Sequence, residues 1–308
     1  MISCKARLFN WLILNRHLLR GKIKREVFDF NTSIPGFREQ CEKGVTAWSK
    51  LPPGMQVQRQ TLEGMTTEWL IPEGSDPAKI ILYFHGGGYV AGSCSDHRGI
   101  ISKLAWRTGI QTLIFEYRLA PEHPFPAAVE DSVSIYRHLL STGFYSQNIL
   151  FAGESAGGGL CLSTLLKIKE QALEYPVAAV AISPWTDLTC SGASYKTKNK
   201  VSAAPLNSWY VFSRYYAGHH DPAHPLISPL FGDLSGLPPL LINSGENDEL
   251  YDDGRLFAMK AKEAGVNVIF RKGEGMIHCY PLMAPMFREA SEAMDEIVTF
   301  IRKYVGNG

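Results

Sequence analysis

The stretch "NILFAGESAGGGLCL", Asn148 to Leu162, decides how the chain is read. Its first part, Asn148 to Ala152, has the length and apolar character of a buried strand, and the residues from near Ala156 suit a helix. Between them Gly153-Glu154-Ser155-Ala156-Gly157 leaves only a very tight turn. A residue at its apex is forced toward strained backbone angles while its side chain is thrust out of the sheet. That suits a nucleophile, Ser155. Gly153 and Gly157 stand where a Cβ would strike the neighbouring backbones. A helix beginning at Ala156 aims free N–H groups and its positive dipole end at charge developing during acyl transfer.

The pattern outside this turn supplies the scaffold. "QVQRQTL" and "TTEWLI", joined at Glu63-Gly64, read as an antiparallel pair. Six short apolar runs follow: Ile80–Phe84, Thr112–Tyr117, Asn148–Ala152, Val177–Ile182, Pro239–Ser244 and Asn267–Arg271. They have the character of buried parallel strands. Val129, Val133, Tyr136 and Leu140 share one face of a segment opening at Pro126, and Phe287, Ala290, Met294, Ile297 and Ile301 share one face of the C-terminal segment. This alternation predicts an α/β fold with a mostly parallel sheet of about eight strands, helices on both faces and function at the strands' carboxyl ends. Residues 1–50 and 188–225 break the alternation and carry many aromatics, so they are expected to form a helical cap over a catalytic unit of 51–187 and 226–308. Trp11, Trp48, Trp209, Tyr210, Phe212, Tyr215 and Tyr216 would either line an apolar acyl site there or form a stacked core.

A second glycine cluster, "YFHGGGYVAGS" (Tyr83 to Ser93), follows another apolar strand. Its backbone amides, with that of Ala156, are candidate donors to a tetrahedral oxyanion. A phosphate cradle would need the lysine of a P-loop, which this stretch lacks. Serine needs a general base, and the base needs a carboxylate to hold its tautomer. Of nine histidines, His278 lies in the loop between the last strand and the last helix, on the same sheet edge as Ser155. His85 braces the glycine loop, and His97, His123 and His138 read as packed or solvated. His219, His220 and His224 lack the spacing and partners of a metal site. Glu246, Asp248, Glu249, Asp252 and Asp253 compete for the acid; Asp252 and Asp253 suit the start of a helix, which ranks Asp248 first without deciding the matter.

The motifs "HGGGY" (His85–Tyr89), "YRLAPEHPFPAA" (Tyr117–Ala128), "GESAGG" (Gly153–Gly158), "SPWTDLT" (Ser183–Thr189), "ENDELYDDG" (Glu246–Gly254) and "IHCY" (Ile277–Tyr280) occur in family-like order. From Ile80 onward the chain resembles the hormone-sensitive-lipase-like serine esterases, the bacterial lipolytic family IV of the α/β-hydrolase superfamily. The resemblance implies a carboxylic ester hydrolase with Ser155, Asp248 and His278 as triad. It also implies an oxyanion hole of Gly87, Gly88 and Ala156, with Gly86 shaping the loop. It favours Asp248 as the acid and a cap of N-terminal helices plus an insertion. It implies small, moderately apolar esters of short to medium acyl length, with lactones or amides as alternative substrates. Glu154 stands where the family usually has Asp or Thr, and Glu249 where it usually has Pro. Plant gibberellin receptors resemble the same family but lack the catalytic histidine, so His278 argues against a receptor.

Composition narrows the partners. The chain of 308 residues is 45% apolar, enough for one large core, and its 31 basic and 30 acidic residues nearly cancel. Nucleic acid is not expected as a partner. Six cysteines without C-x-x-C spacing predict free thiols in a cytoplasmic protein and neither a zinc site nor a redox pair, and acyl transfer by a serine triad requires neither metal nor organic cofactor. The segment Lys5 to Arg25 is basic and amphipathic, with an apolar run too interrupted for a signal peptide or membrane span; it is expected to pack on the protein, a membrane-surface role being the alternative. A monomer or homodimer is expected.

Overall fold

Short apolar runs that are buried on both faces form parallel strands only if helices cover both sides of the sheet. The computed structural model, which describes residues 2–19, 21, 23–45 and 50–306, has that architecture. Its strands are β1 (Met55–Leu62), β2 (Met65–Pro72), β3 (Ile80–Phe84), β4 (Gln111–Phe115), β5 (Ile149–Glu154), β6 (Ala178–Ile182), β7 (Leu240–Gly245) and β8 (Val268–Gly273). They form one eight-stranded sheet in the order β1-β2-β4-β3-β5-β6-β7-β8. β1 and β2 pair antiparallel, as does β2 with β4; the other pairs are parallel. The β1–β2 hairpin turns through Glu63 (φ 51°) and Gly64 (φ 78°), the left-handed pair that a two-residue turn demands.

The chain steps from β3 outward to β4 and then returns to place β5 on the other side of β3. The carboxyl ends of β3 and β5 therefore flank the reversal of strand order, where α/β sheets leave a crevice. Both glycine clusters emerge there.

Strand periodicity divides the core in two. Ile80, Leu82 and Phe84 of β3 join Ile149 and Phe151 of β5 on one face, while Ile81 and Tyr83 join Leu150 and Ala152 on the other. The first face is covered by α5 (Ala127–Ser141), α6 (Ala156–Glu170) and α9 (Tyr251–Glu263), the second by α4 (Cys94–Thr108) and α10 (Arg288–Ile301). Each fully buried large apolar side chain contributes roughly 1.5–3 kcal/mol. α4 starts at a capping box, Ser93 with Asp96, and stops at Gly109 in the left-handed region.

The N-terminal segment forms α1 (Cys4–Leu14), α2 (Arg16–Leu19) and α3 (Ile34–Val45); α7 (Ser194–Thr197) and α8 (Ser208–Ala217) lie in the connection after β6. Instead of one basic helix, the described residues of this segment form two short ones, α1 and α2, separated at Asn15, whose amide caps α1. These two regions are tied together. Arg25 donates to the carbonyls of Asn199, Ser202 and Ala204 at 2.6–3.1 Å, and Phe28 N–H donates to Leu206 at 2.8 Å. Phe28 and Phe37 pack on Phe212 of α8 with ring centroids 4.7 and 5.5 Å apart. Trp209, Phe212 and Tyr216 are buried, whereas Trp11 and Tyr210 are exposed; Trp48 lies outside the described residues. Among the described residues, no helix is long and apolar enough to cross a membrane.

Candidate active site

A strand that must become a helix within one residue strains that residue. Ser155, between β5 and α6, has φ 57° and ψ −125°, a conformation non-glycine residues rarely adopt. Its N–H donates to Ile182 O and its carbonyl accepts from Trp185 N–H, both at 2.9 Å, so β6 and the following loop hold the turn. The glycines permit it: a Cβ on Gly157 would lie 2.1 Å from Phe84 O, and one on Gly153 2.5 Å from Gly157 O. The hydroxyl does not cap α6, leaving it available to another group.

The imidazole of His278 donates from Nδ1 to Asp248 Oδ2 at 2.6 Å. Asp248 is fully buried and also accepts from Leu250 N–H at 3.1 Å. Ile182 O, which holds the amide of Ser155, also receives the Cys279 thiol at 4.0 Å, so the residue after His278 and the serine share one carbonyl. No hydrogen bond joins the Ser155 hydroxyl to the imidazole among the described residues. Such contacts are commonly long before substrate binds. Burial by itself disfavours the imidazolium of His278, but the adjacent Asp248 charge outweighs it and holds the imidazole well above the ordinary histidine value. The Cys279 thiol is itself pushed up by burial and stays neutral near pH 7.

The other carboxylates of 246–253 have different partners. Asp253 accepts from Thr186 and Asp187 N–H at 2.9 and 2.8 Å, Asp252 from Ser194 N–H at 2.9 Å, and Glu246 from Gly275 N–H at 2.9 Å. Glu249 accepts the indole N–H of Trp209 at 3.1 Å, and the Trp209 ring stands edge-on to His278 with centroids 5.6 Å apart.

The loop after β3 passes beside the serine: a Cβ on Gly86 would lie 3.3 Å from Ser155 Cβ. Gly86 N–H donates to Glu154 Oε1 at 2.7 Å and is thereby engaged, whereas the amides of Gly87, Gly88 and Ala156 have no acceptor among the described residues. Gly87 has φ 118°, and a Cβ there would sit 2.1 Å from Ala91 O. Phe212 packs directly over Gly88. Amides without an acceptor beside a serine hydroxyl can stabilise an oxyanion formed there.

Residues 81–282 match the family described as alpha/beta hydrolase fold. The chain belongs to the α/β-hydrolase family. Over its whole length it is 41% identical to an acetyl-hydrolase from Streptomyces hygroscopicus, covering 99% of that protein. It is 33% identical over 80% of its length to an esterase from Acinetobacter venetianus, covering 82% of that relative. A crystal structure of an esterase from the bacterial hormone-sensitive lipase family superposes with a TM-score of 0.90 at 34% identity, covering 99% of this chain and all of that one. This α/β-hydrolase thus stands among the esterases related to hormone-sensitive lipase.

Behind the hydrolase's glycine loop is a group that spacing does not reveal. His97 donates from Nε2 to Glu154 Oε1 at 2.9 Å and from Nδ1 to Asp96, clamped between two buried carboxylates. Burial opposes its charge, but Glu154 and Asp96 raise its pKa well above the ordinary value. Neighbouring His85 is lowered to about 4 by burial and by the charge of His97, so it is neutral; its Nδ1–H donates to Gly86 O at 2.8 Å. His85 stacks on Tyr117 with centroids 4.1 Å apart. Gly92 completes the loop, since a Cβ there would sit 2.2 Å from His85 Nδ1. Only Ser93-x-x-Asp96, readable as a capping box, signals any of this locally. His138 bonds Glu63 at 3.0 Å, and the rings of His220 and His224 pack around Phe125.

Proposed function

We propose that the chain is a serine esterase that cleaves small, moderately apolar esters of short to medium acyl length through an acyl-enzyme on Ser155. The observation that supports this is the Asp248–His278 contact at 2.6 Å, together with a strained serine turn at the end of β5 and a glycine loop that leaves the neighbouring β3 and passes beside that serine at Gly86. In the first step His278 Nε2 accepts the Ser155 proton as Oγ attacks the ester carbonyl, and the three amides hold the oxyanion. The imidazolium then passes its proton to the departing alcohol. Water, deprotonated by the same imidazole, cleaves the acyl-enzyme and regenerates the hydroxyl. Asp248 keeps the Nδ1–H tautomer and stabilises the imidazolium.

Residues 1–50 and 188–225 act as a cap whose α8 bounds the substrate space with Trp209 and Phe212. Their approach to His278 and Gly88 supports acyl groups at the small end of the range, as does the acetyl-hydrolase relative. The six free cysteines support a reducing, cytoplasmic setting, and the protein acts as a monomer or homodimer.

Ser155→Ala tests the assignment. It is expected to keep the circular dichroism of the native chain while lowering turnover of nitrophenyl acetate on the order of 10⁴-fold or more. A fluorophosphonate should label the native chain on the peptide holding Ser155. Labelling elsewhere, or an active folded Ser155→Ala protein, overturns the mechanism; a nitrophenyl ester series from acetate to octanoate tests the acyl range.

A further inference from the structure

A helix on the surface of a fold in water turns its apolar side chains inward and its polar ones outward. α1 does the reverse at three positions. Asn10 is buried, with Nδ2 donating to Gly275 O at 2.9 Å and Oδ1 left without a partner among the described residues. Leu8 and Trp11 point outward, 59% and 55% exposed. The inward face is already occupied: Ala6 is buried and Phe9 packs on Phe287 with centroids 5.3 Å apart.

Helical geometry makes Leu8 and Trp11, three residues apart, one outward stripe with Cys4, and sets exposed Lys5 and Arg7 on its two flanks. Further exposed apolar side chains follow along the chain, Leu18 at 52% and Ile23 at 90%, with exposed Lys24 beside them. Residues 1–25 contain seven lysines and arginines and no acidic residue, in a chain whose net charge is only +1.

We infer that the outward face of α1, together with Leu18, Ile23 and Lys24, docks onto an anionic lipid surface, with Leu8 and Trp11 in the headgroup–acyl boundary and Lys5 and Arg7 beside lipid phosphates. Charge complementarity selects this occupant. A second copy using the same face would bring two purely basic segments together, because a two-fold interface places each patch on itself. An anionic bilayer supplies both the apolar layer and the counter-charge, and indole favours that boundary. Arg16 and Arg25 are held by backbone carbonyls of 199–204 and anchor the segment to the fold. Docking would hold the protein where apolar molecules leave water, whatever chemistry it performs on them.

The test uses the full chain with vesicles of phosphatidylcholine alone or with about 30% phosphatidylglycerol, read by co-flotation and by the Trp11-dependent blue shift of emission. The expected result is at least about tenfold stronger partition onto the anionic vesicles, weakened about tenfold between roughly 0.1 and 0.5 M salt. Leu8→Ser with Trp11→Ser, and separately Lys5→Glu with Arg7→Glu, should each lose about tenfold or more in partition. Circular dichroism and hydrolysis of dissolved nitrophenyl acetate should be unchanged in both. No partition by the native chain, equal partition onto neutral vesicles, or variants that bind as the native chain does would overturn the inference. So would self-association without lipid that the Leu8/Trp11 variant abolishes, which would show a second copy on this face.

Discussion

At the scale of single residues, the proposed mechanism turns on the charge state of His278. That mechanism requires a neutral imidazole to accept the serine proton, and Asp248 raises its pKa despite the opposing effect of burial. The two consequences run in opposite directions. A raised value contributes stability that is fully present below the unfolded histidine pKa and is lost as pH rises through the folded value. Activity instead grows as pH rises through that folded value. The acid limb of kcat/KM for nitrophenyl acetate is therefore expected to have its midpoint above the ordinary histidine pKa, and Asp248→Asn should move it downward; a native midpoint at or below the ordinary value would contradict this. His97 works differently, as a cation fixed between Glu154 and Asp96. Glu154→Ala frees Gly86 N–H and removes one of those partners. It is expected to lower kcat about tenfold to a hundredfold, with KM changed much less, because the loss falls on transition-state positioning. Glu154→Gln, which keeps an acceptor for the Gly86 amide, should recover much of it; steady-state kinetics of the two variants check the difference.

At the scale of elements, the serine turn depends on how closely α6 approaches β3. A Cβ on Gly157 would lie 2.1 Å from Phe84 O and 2.3 Å from His85 O, both backbone atoms of the strand end. Neither can yield cheaply. Gly157→Ala is expected to cost about 3 kcal/mol or more, lowering Tm by roughly 4 °C or more in a thermal melt, with activity falling as the glycine loop shifts. The same crowding explains how much of this region was legible beforehand. The order strand, glycine, serine, glycine, helix is local, and the run Ile80–Phe84 coincides with β3. Boundaries elsewhere moved: β4 ends at Phe115 rather than Tyr117, and β8 runs on to Gly273, because pairing with neighbours decides where a strand stops. Asp252 and Asp253 do stand in the first turn of α9, but they accept backbone amides of 186–194 rather than only facing the helix dipole.

At the scale of the whole molecule, the N-terminal segment and the connection after β6 are far apart in the chain and meet over the sheet's carboxyl edge. Arg25 is the main tie, with three carbonyl acceptors. Arg25→Ala is expected to leave the main unfolding transition nearly in place while speeding proteolysis within 199–207 about tenfold, since a local opening easier by about 1.4 kcal/mol suffices for that. Unchanged cleavage, or a global loss of stability, would show that the tie is not local.

The sequence by itself determined the alternating layers, the serine turn and the pair of glycine loops, because apolar periodicity and glycine placement act within a few residues of chain. Tertiary structure alone decided that Glu154 takes the Gly86 amide, that His97 is clamped between Glu154 and Asp96 and that Glu249 holds Trp209 beside His278. Those outcomes depend on which distant carboxylate, amide or ring meets each group once water is excluded, and no spacing along the chain encodes that proximity.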